Sequence, residues 1–344
     1  MIKDCYIRVD ADNMIGTGHL VRTEILADEL SKNNYQINFL CRSIPKNYSD
    51  KLESKNYQVL ILNNSESEQE VLLDVIEQKN ESILIIDSDF EEFYSKKFQL
   101  SIRDNGIKLM IITFYHKYHF YADIILNQNI MALSQSYASE DYTIKLLGPK
   151  NVILNNDYKI ISKNLDNFKT NLKNKTILLT FGGVDQPDRT SFVYKSLMQI
   201  EHKPDKIIVV LGALYGNRKN LENVVNESRI PTEIYQNTLK MPYLLAESDI
   251  VFNSGGLTVW EAGVLKALNI IIGFSNREQI GGRFIGDNKL GIYLGKKNDF
   301  TLESLSEKID AIIIKENTEL VNNLSSKIDV NGVNNIIKSI KELL

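Results

Sequence analysis

The sequence predicts an α/β protein built from two Rossmann-like domains, with parallel sheets that face a central cleft. Short apolar runs of strand length alternate with amphipathic segments of helix length, and this alternation requires crossover connections between parallel strands. The series stops in a polar stretch near the middle of the chain and then starts again. A length of 344 residues also fits two domains.

The first series lies in a predicted N-terminal domain, residues 1–155. Its apolar runs predict strands at Tyr6–Val9, Gln36–Cys41, Val59–Leu62, Ile83–Ile86, Leu109–Ile112 and Ile124–Leu126. The segments between them predict helices at His19–Leu30, Ser49–Lys55, Glu68–Gln78 and Phe98–Asp104. Open parallel sheets bind ligands beyond the carboxyl ends of their strands, so the loops that follow these strands are candidate sites.

The second series lies in a predicted C-terminal domain, residues 170–332, after the polar segment Asn155–Asn174. Its apolar runs predict strands at Thr176–Phe181, Lys206–Leu211, Glu233–Tyr235, Ile250–Phe252 and Ile270–Phe274. The intervening helices are predicted at Ser191–Glu201, Leu221–Ser228, Met241–Glu247 and Leu257–Leu268. Residues 333–344 are predicted to form a terminal helix.

The composition argues against several classes of function. A formal net charge of -4 provides no basic surplus for binding a phosphate polymer, so nucleic acid is not expected as a partner. No run approaches about 18 uninterrupted apolar residues, and the first residues do not resemble a signal peptide. The two cysteines, Cys5 and Cys41, lie in predicted strands and are expected to be buried thiols. We therefore expect a cytoplasmic protein without stable membrane insertion.

The loop after the first strand carries a candidate catalytic residue. Gly16 and Gly18 precede a predicted helix and permit a tight turn with close approach of backbone to a ligand, but Val21 excludes a complete dinucleotide-binding motif. His19 falls in the first helical turn, where an imidazole can accept a proton near neutral pH. The alternative is a histidine that only packs the loop. Arg22 follows one turn later and can meet either an anion or a surface carboxylate.

The loop after the strand Ile250–Phe252 predicts a diphosphate site. Small residues at the start of a helix leave backbone N–H groups exposed for an anion. The carboxylate of Glu261, one turn into the helix, can accept hydrogen bonds from both hydroxyls of a ribose, although a solvated helix carboxylate is the alternative. The predicted cradle residues are Ser254, Gly255, Gly256, Leu257 and Thr258.

Two further loops of the second domain are predicted to face the same ligand. Gly182 and Gly183 form a glycine turn at the end of its first strand. Glu278 and Gln279 follow the strand Ile270–Phe274 and are placed to reach the phosphates. Each of these signals is weak alone, but together they mark corresponding strand ends.

These residues resemble the PseG family of UDP-sugar hydrolases and the related SpsG proteins. The likeness rests on the R-x-D and I-G-x-G-H-x-x-R pattern within Ile7–Leu26, and on the segments Leu84–Asp87, Ala122–Asn129, Leu147–Pro149 and Thr180–Asp185. The cradle Ser254–Glu261 is also similar to that of MurG, a glycosyltransferase. The resemblance covers most of the chain and implies the GT-B fold.

The resemblance implies hydrolysis of the anomeric C–O bond of a UDP-linked 2,4-diacetamido-2,4,6-trideoxy sugar, as in pseudaminic acid biosynthesis. The family's functional histidine matches His19, which positions or activates the attacking water. The cradle would hold UDP as the leaving group, without a metal or other cofactor. The resemblance thus assigns the sugar-binding and catalytic side to residues 1–155 and the nucleotide side to residues 170–332. The UDP-sugar is then the expected partner, while the sequence leaves the oligomeric state open.

Three positions depart from the family pattern. Asp87-Ser88-Asp89 replaces Asp-His-Tyr, which leaves Asp89 as a possible substitute base or water ligand beside Asp87 on the sugar side. Asn155–Tyr158 replaces a segment that often contains arginine, and Asn269 replaces a proline. Asp87-Ser88-Asp89 is also a D-x-D pattern, but one carboxylate pair is a thin metal site, so no metal is predicted. Asn127 is expected to line the sugar pocket.

Three classes of function remain open on the sequence. The leading interpretation is a UDP-sugar hydrolase for nonulosonate or surface-polysaccharide synthesis. A GT-B glycosyltransferase would use a hydroxyl acceptor in place of water, with His19 as its base. A non-catalytic nucleotide-sugar-binding protein would keep the cradle and lose the chemistry.

Overall fold

The computed structural model describes residues 3–12, 15–62, 67–76, 81–168 and 175–344. The chain divides into two compact units. The first unit consists of Met1–Leu154 and Asp329–Leu344, and the second consists of Asn155–Ile328. Each contains a parallel sheet with helices, as the alternating pattern predicts.

The first unit is built around one large sheet. As far as the chain is described, its strands are β1 (Lys3–Val9), β2 (Tyr35–Cys41), β3 (Gln58–Ile61), β4 (Ser82–Asp87), β5 (Lys108–Ile112), β6 (His119–Phe120), β7 (Ile124–Asn127), β8 (Ala138–Ser139) and β9 (Ile144–Leu147). The described residues give a seven-stranded parallel sheet in the order β3-β2-β1-β4-β5-β7-β9, while β6 pairs with β8. Its helices are α1 (Gly18–Ser31), α2 (Lys46–Ser54), α3 (Glu68–Val75) and α4 (Lys96–Asp104).

The register of this sheet places the first-domain candidates at one edge. Val9 at the end of β1 pairs with Asp87 at the end of β4. All six residues of β4 are buried, which explains its unbroken apolar run. Both cysteines are buried in β1 and β2, as predicted, and burial raises the pKa of the Cys41 thiol to about 12. The loop from β1 to α1 therefore begins beside the carboxyl end of β4.

The second unit repeats the architecture with a different set of elements. Its described strands form a six-stranded parallel sheet in the order β12-β11-β10-β13-β14-β15, with the bounds β10 (Thr176–Leu179), β11 (Lys206–Leu211), β12 (Thr232–Gln236), β13 (Ile250–Asn253), β14 (Leu268–Gly273) and β15 (Ile292–Lys296). Its helices are α5 (Asn156–Ser162), α6 (Arg189–Leu197), α7 (Arg218–Asn226), α8 (Met241–Glu247), α9 (Thr258–Val264), α10 (Asn276–Asp287), α11 (Leu302–Ile313) and α12 (Thr318–Ser325).

Some element bounds differ from the sequence expectation. The helix predicted to continue to Leu268 ends at Val264, because Lys266 adopts a positive φ of 54° and the chain enters β14 directly. The helix predicted from Glu68 to Gln78 ends at Val75, and residues 77–78 lie outside the described residues. The polar segment after residue 155 contains α5.

The last helix of the chain, α13 (Gly332–Leu343), belongs to the first unit. It buries an apolar stripe that includes Val333, Ile336 and Ile340, and it contacts α1. At its start Gly332 lies against the first unit so closely that a Cβ atom would stand 2.3 Å from the carbonyl oxygen of Val152. Only glycine permits this approach.

None of the helices in the described part of the chain combines the length and the apolar composition needed to cross a membrane.

Candidate functional site

In the described part of the loop between β1 and α1, Gly16 lies against Asp12 shortly before His19 in the first turn of the helix. The Asp12 carbonyl oxygen accepts a hydrogen bond of 2.8 Å from the Gly16 N–H group, and the Asp12 carboxylate accepts one of 2.7 Å from the Ile15 N–H group. Gly18 is the first residue of α1 and is exposed, with open space around its Cα atom. The two glycines therefore leave the backbone before His19 accessible.

His19 is held by a buried carboxylate. Its Nδ1 atom lies 2.6 Å from Oδ1 of Asp87, whose side chain is fully buried, while 18% of the His19 side chain is exposed. At this distance from a carboxylate oxygen, Nδ1 carries the proton and donates it in a hydrogen bond. The lone pair of the neutral ring is then on Nε2, so the pairing prepares His19 to accept a proton there.

Arg22 completes this cluster from one turn further along α1. Its Nε and Nη2 atoms donate hydrogen bonds to the two carboxylate oxygens of Asp87. Burial alone would raise the pKa of Asp87, but Arg22 and His19 outweigh it and hold that pKa well below its usual range. Asp87 is thus an ionised, buried partner of both residues. The carboxylate that Arg22 meets is buried and not the surface carboxylate given as the alternative, and a contact of Arg22 with a ligand anion stays a prediction.

Asp89 is exposed two residues after Asp87. Its charge adds to burial in raising the pKa of Tyr94, so the two side chains are electrostatic neighbours. The Tyr94 hydroxyl lies 3.0 Å from both the Ser88 carbonyl oxygen and Thr113 Oγ1. A tyrosine that the sequence analysis did not single out therefore braces the end of β4. The role of Asp89 as a base or water ligand stays a prediction.

Asn127, predicted to line the sugar pocket, is buried at the end of β7, and its side chain is hydrogen-bonded to other protein groups. Its Nδ2 atom donates a hydrogen bond of 2.7 Å to the Tyr137 hydroxyl, and its Oδ1 atom accepts one of 3.0 Å from the Asn129 N–H group. A direct contact with a sugar would have to replace one of these bonds.

The glycine turn after β10 is pressed against the loop that follows β11. A Cβ atom on Gly212 would lie 2.4 Å from the Gly182 carbonyl oxygen and 2.3 Å from that of Gly183. The Gly183 carbonyl oxygen also accepts a hydrogen bond of 3.1 Å from the Leu214 N–H group. The carbonyl groups of the turn are therefore directed towards β11. The sequence did not single out Gly212, because a lone glycine does not indicate that its backbone packs closely against another loop.

The predicted cradle is a glycine turn followed by a seven-residue helix. Gly255 has a positive φ of 90°, a conformation that favours glycine. Among the described residues, the structure gives no hydrogen-bond acceptor to the backbone N–H groups of Gly256, Leu257 and Thr258. Ser254 precedes the turn and is partly buried. These three amides are the groups that the sequence analysis assigned to a diphosphate.

Two buried asparagines, which the sequence analysis did not assign to the site, support the cradle. Asn253 Oδ1 accepts a hydrogen bond of 2.8 Å from the Gly255 N–H group, and Asn253 Nδ2 donates one of 2.7 Å to Asn269 Oδ1. Asn269 thus holds the turn through Asn253. Amide side chains in otherwise apolar strands were the available signal.

Glu261 lies in the first turn of α9 and is partly buried. Burial raises its pKa from 4.5 to about 7, although hydrogen bonding to Tyr158 and Thr258 opposes that rise. Tyr158 comes from α5, a helix of the same unit, and is 2% exposed. The alternative of a fully solvated carboxylate is therefore wrong for Glu261.

Glu278 caps the helix α10. Its Oε2 atom accepts hydrogen bonds of 2.6 Å from the Phe274 N–H group and 3.0 Å from the Ser275 N–H group, and Arg189 Nη1 lies 3.1 Å away. Gln279 turns back to donate a hydrogen bond of 3.0 Å to the Phe274 carbonyl oxygen. The capping carboxylate orders this segment, and a phosphate contact by Glu278 or Gln279 stays a prediction.

The segments predicted in the second unit do meet. A Cβ atom on Gly255 would lie 3.5 Å from the Glu278 carbonyl oxygen, so the cradle turn touches the first turn of α10. Among the described residues, Glu201, His202 and Asp310 of this unit have side chains with a spacing that could hold a metal ion. Asp87, predicted as part of a D-x-D pattern, instead has both carboxylate oxygens paired with α1.

Comparison with known sequences gives one distant relative. The chain is 27% identical over 280 residues to an uncharacterised protein of Methanocaldococcus jannaschii, with 79% of this chain and 56% of the relative covered. The chain thus spans about half the length of the curated relative that it matches. No family model matches the sequence.

Solved structures share the fold over nearly the whole chain. MurG of Acinetobacter baumannii matches with a TM-score of 0.70 and 13% identity over 99% of both chains. UGT2 of Phytolacca americana, complexed with UDP-2-fluoro-glucose and pterostilbene, matches at 0.66 and 10% identity over 99% of both chains. The Anabaena protein HepE, in complex with UDP-glucose, matches at 0.59 and 12% identity over 99% of this chain and all of the other.

This chain has the GT-B fold. That confirms the two Rossmann-like domains expected from the alternating pattern and the fold implied by the resemblance to MurG.

Proposed function

We propose that this chain catalyses the inverting displacement of a nucleoside diphosphate from a nucleotide sugar, with a hydroxyl group of an acceptor as the nucleophile. The observation that carries the proposal is the pairing of His19 with a buried carboxylate at 2.6 Å. A histidine held in this way is a general base, and a hydroxyl nucleophile requires one.

The reaction is a single displacement at the anomeric carbon. The acceptor oxygen forms a bond to that carbon as the C–O bond to the diphosphate breaks, and the electron pair leaves with the phosphate oxygen. His19 Nε2 takes the proton of the attacking hydroxyl group. Asp87 stabilises the imidazolium that results, because its own carboxylate stays ionised beside Arg22.

The second unit would bind the nucleotide. The amides of Gly256, Leu257 and Thr258 are assigned to the diphosphate, because backbone N–H groups without a protein acceptor suit an anion. Glu261 is assigned to the ribose hydroxyls. Uridine is the preferred base, because UGT2 and HepE were solved with UDP-sugars and because the chain resembles UDP-sugar enzymes.

Hydrolysis is the second candidate, with water as the nucleophile. It is favoured by the I-G-x-G-H-x-x-R pattern around His19, which resembles the PseG hydrolases. Transfer is preferred because several solved structures that share the fold are glycosyltransferases by name. Both reactions would use the same base and the same leaving group, so the nucleophile alone separates them.

The test is UDP release from a panel of UDP-sugars that includes the 2,4-diacetamido-2,4,6-trideoxy sugar, with and without hydroxyl acceptors. A transferase releases UDP at a substantial rate only when acceptor is present, and the product carries an inverted anomeric configuration by NMR. Equal release without acceptor would establish hydrolysis instead. Tight UDP binding by calorimetry with no turnover of any donor would contradict both reactions and support a binding protein.

A further inference from the structure

Arg189 is a buried cation that no sequence motif singled out. It is the first residue of α6 and only 3% of it is exposed. Its Nη1 atom lies 3.1 Å from the Ile272 carbonyl oxygen and 3.1 Å from Glu278 Oε2. Its Nη2 atom lies 3.4 Å from the Phe181 carbonyl oxygen. A side chain so enclosed does not contact a ligand itself.

The partners of Arg189 belong to two separate loops. Phe181 immediately precedes the glycine turn Gly182–Gly183, whereas Ile272 lies at the end of β14. Glu278 reaches back to cap the Phe274 and Ser275 N–H groups, which begin the segment leading to Gln279. One guanidinium group thus joins the loop after β10 to the loop after β14.

Two carboxylates lie near the Arg189 guanidinium group, so the side chain at this position has to pair with both. The Asp185 carboxylate lies 3.4 Å from Arg189 Nε and also accepts the Arg189 N–H group at 3.1 Å. The Asp185 side chain is 3% exposed, so one guanidinium serves two carboxylates in a largely dry site. Arginine offers a planar set of donors that a lysine ammonium group cannot reproduce.

We propose that Arg189 is a positioning residue that fixes the Gly182–Gly183 turn and the Phe274–Gln279 segment relative to each other, so that both present their polar groups to the diphosphate of the nucleotide. The inference rests on the proposed function, since it assumes a diphosphate ligand. It assigns Glu278 to the same task, as the carboxylate through which Arg189 acts on α10.

The test is calorimetric titration of the full-length protein with UDP and with uridine. Arg189→Lys keeps the charge and loses the planar donors. We expect it to weaken UDP binding by about tenfold or more, and uridine binding by less than about threefold, because the nucleoside lacks the groups that these loops would contact. The matched control is Lys195→Met, which removes an exposed cation from the same helix and should leave both affinities unchanged.

If Arg189→Lys only destabilised the second unit in general, it would reduce the affinities for UDP and for uridine by the same factor. That result would overturn the inference. Glu278→Gln provides a second variant, should Arg189→Lys fail to fold, and it should reproduce the selective loss of UDP affinity. Wild-type affinity for UDP in Glu278→Gln or in folded Arg189→Lys would overturn the inference while leaving the proposed function intact. A wild-type protein that binds no UDP would overturn the proposed function, and this inference with it.

Discussion

The Nδ1 atom of His19 lies 2.6 Å from the carboxylate of Asp87, and that carboxylate is fully buried. Asparagine at position 87 would keep the size of the side chain and lose its charge, so the imidazolium would no longer be stabilised. We expect Asp87→Asn and His19→Ala each to lower kcat by about 10²-fold to 10⁴-fold with little change in KM. Steady-state kinetics on the best donor measures both constants.

Asp89→Asn is the matched comparison for that experiment, because it removes an exposed carboxylate two residues away. With His19 as the base, Asp89→Asn should retain turnover within about tenfold of wild type, less than the loss of a general base causes. A loss as large as that of His19→Ala would make Asp89 a participant in the chemistry. Wild-type turnover in His19→Ala would refute the mechanism.

Removing the cation beside Asp87 should destabilise the first unit. Arg22→Met removes the guanidinium that pairs with both oxygens of the buried Asp87 carboxylate and leaves only the His19 hydrogen bond of this cluster, so the expected cost is about 3–5 kcal/mol in the free energy of unfolding. Because the pKa of Asp87 is depressed in the fold, the stabilisation is present above its ordinary value of 3.8 and is lost as the pH falls below it. Urea denaturation at pH 7 and at lower pH measures the effect.

The double variant Arg22→Met/Asp87→Asn should recover part of that loss, since neither charge then remains in the site. Lys32→Met, at the exposed end of the same helix, should change stability by less than about 0.5 kcal/mol. Additive losses in the double variant would show that the two residues are not coupled.

Glu261 should make the stability of the second unit depend on pH. Its pKa is raised from 4.5 to about 7, so the fold favours the protonated carboxyl group. The corresponding stability is complete below pH ~4.5 and is lost as the pH rises to about 7, by up to about 3 kcal/mol. Thermal unfolding of Glu261→Gln should lack this component, and the difference between the two profiles isolates it.

Tyr158→Phe tests the hydrogen bond that opposes that rise in the pKa of Glu261. The Tyr158 hydroxyl stabilises the charged form of Glu261, so its removal should move the transition to higher pH. An unchanged profile in Tyr158→Phe, or a Glu261→Gln profile identical to that of wild type, would contradict the assignment.

Replacing Gly212 with alanine should destabilise the protein, because the loop has no room for a methyl group at this position. Gly212→Ala places a Cβ atom 2.3 Å from the Gly183 carbonyl oxygen, so the backbone of the turn has to move. We expect a loss of about 1–3 kcal/mol in stability, together with weaker UDP binding. Gly216→Ala is the control in the same loop, because its added Cβ atom meets nothing within 4 Å. Equal behaviour of the two variants would show that the contact is unimportant.

The sequence predicted the two α/β series because most of their strands are buried on both faces and so appear as unbroken apolar runs. It did not predict α10, whose interior contains Gly281, Gly282 and Gly286. That helix depends on packing: a Cβ atom on Gly282 would lie 2.5 Å from the ring of Tyr293 in β15. Tertiary contacts of this kind outweigh helix propensity and are invisible in a single sequence.

At the site, the sequence indicated candidate loops but not the hydrogen-bond partners of their side chains. Strand ends and glycines place His19 and Asp87 at one sheet edge, but the sequence does not say which way each carboxylate turns. Both oxygens of Asp87 and the Oε2 atom of Glu278 have protein partners that the sequence did not reveal, and the predicted substrate contacts of these residues stay predictions. The burial of Arg189 could not be predicted from the sequence, because a basic residue at the start of a helix is normally exposed.

The helix α13 has a consequence for how the chain is made. Residues 329–344 complete the unit that residues 1–154 begin, and all of 155–328 is translated in between. The apolar surface that receives Ile336 and Ile340 therefore stays uncovered on the ribosome until residues 329–344 emerge. Translation that stops after residue 328 would release a nascent chain whose second unit can fold and whose first unit remains open to chaperones and proteases.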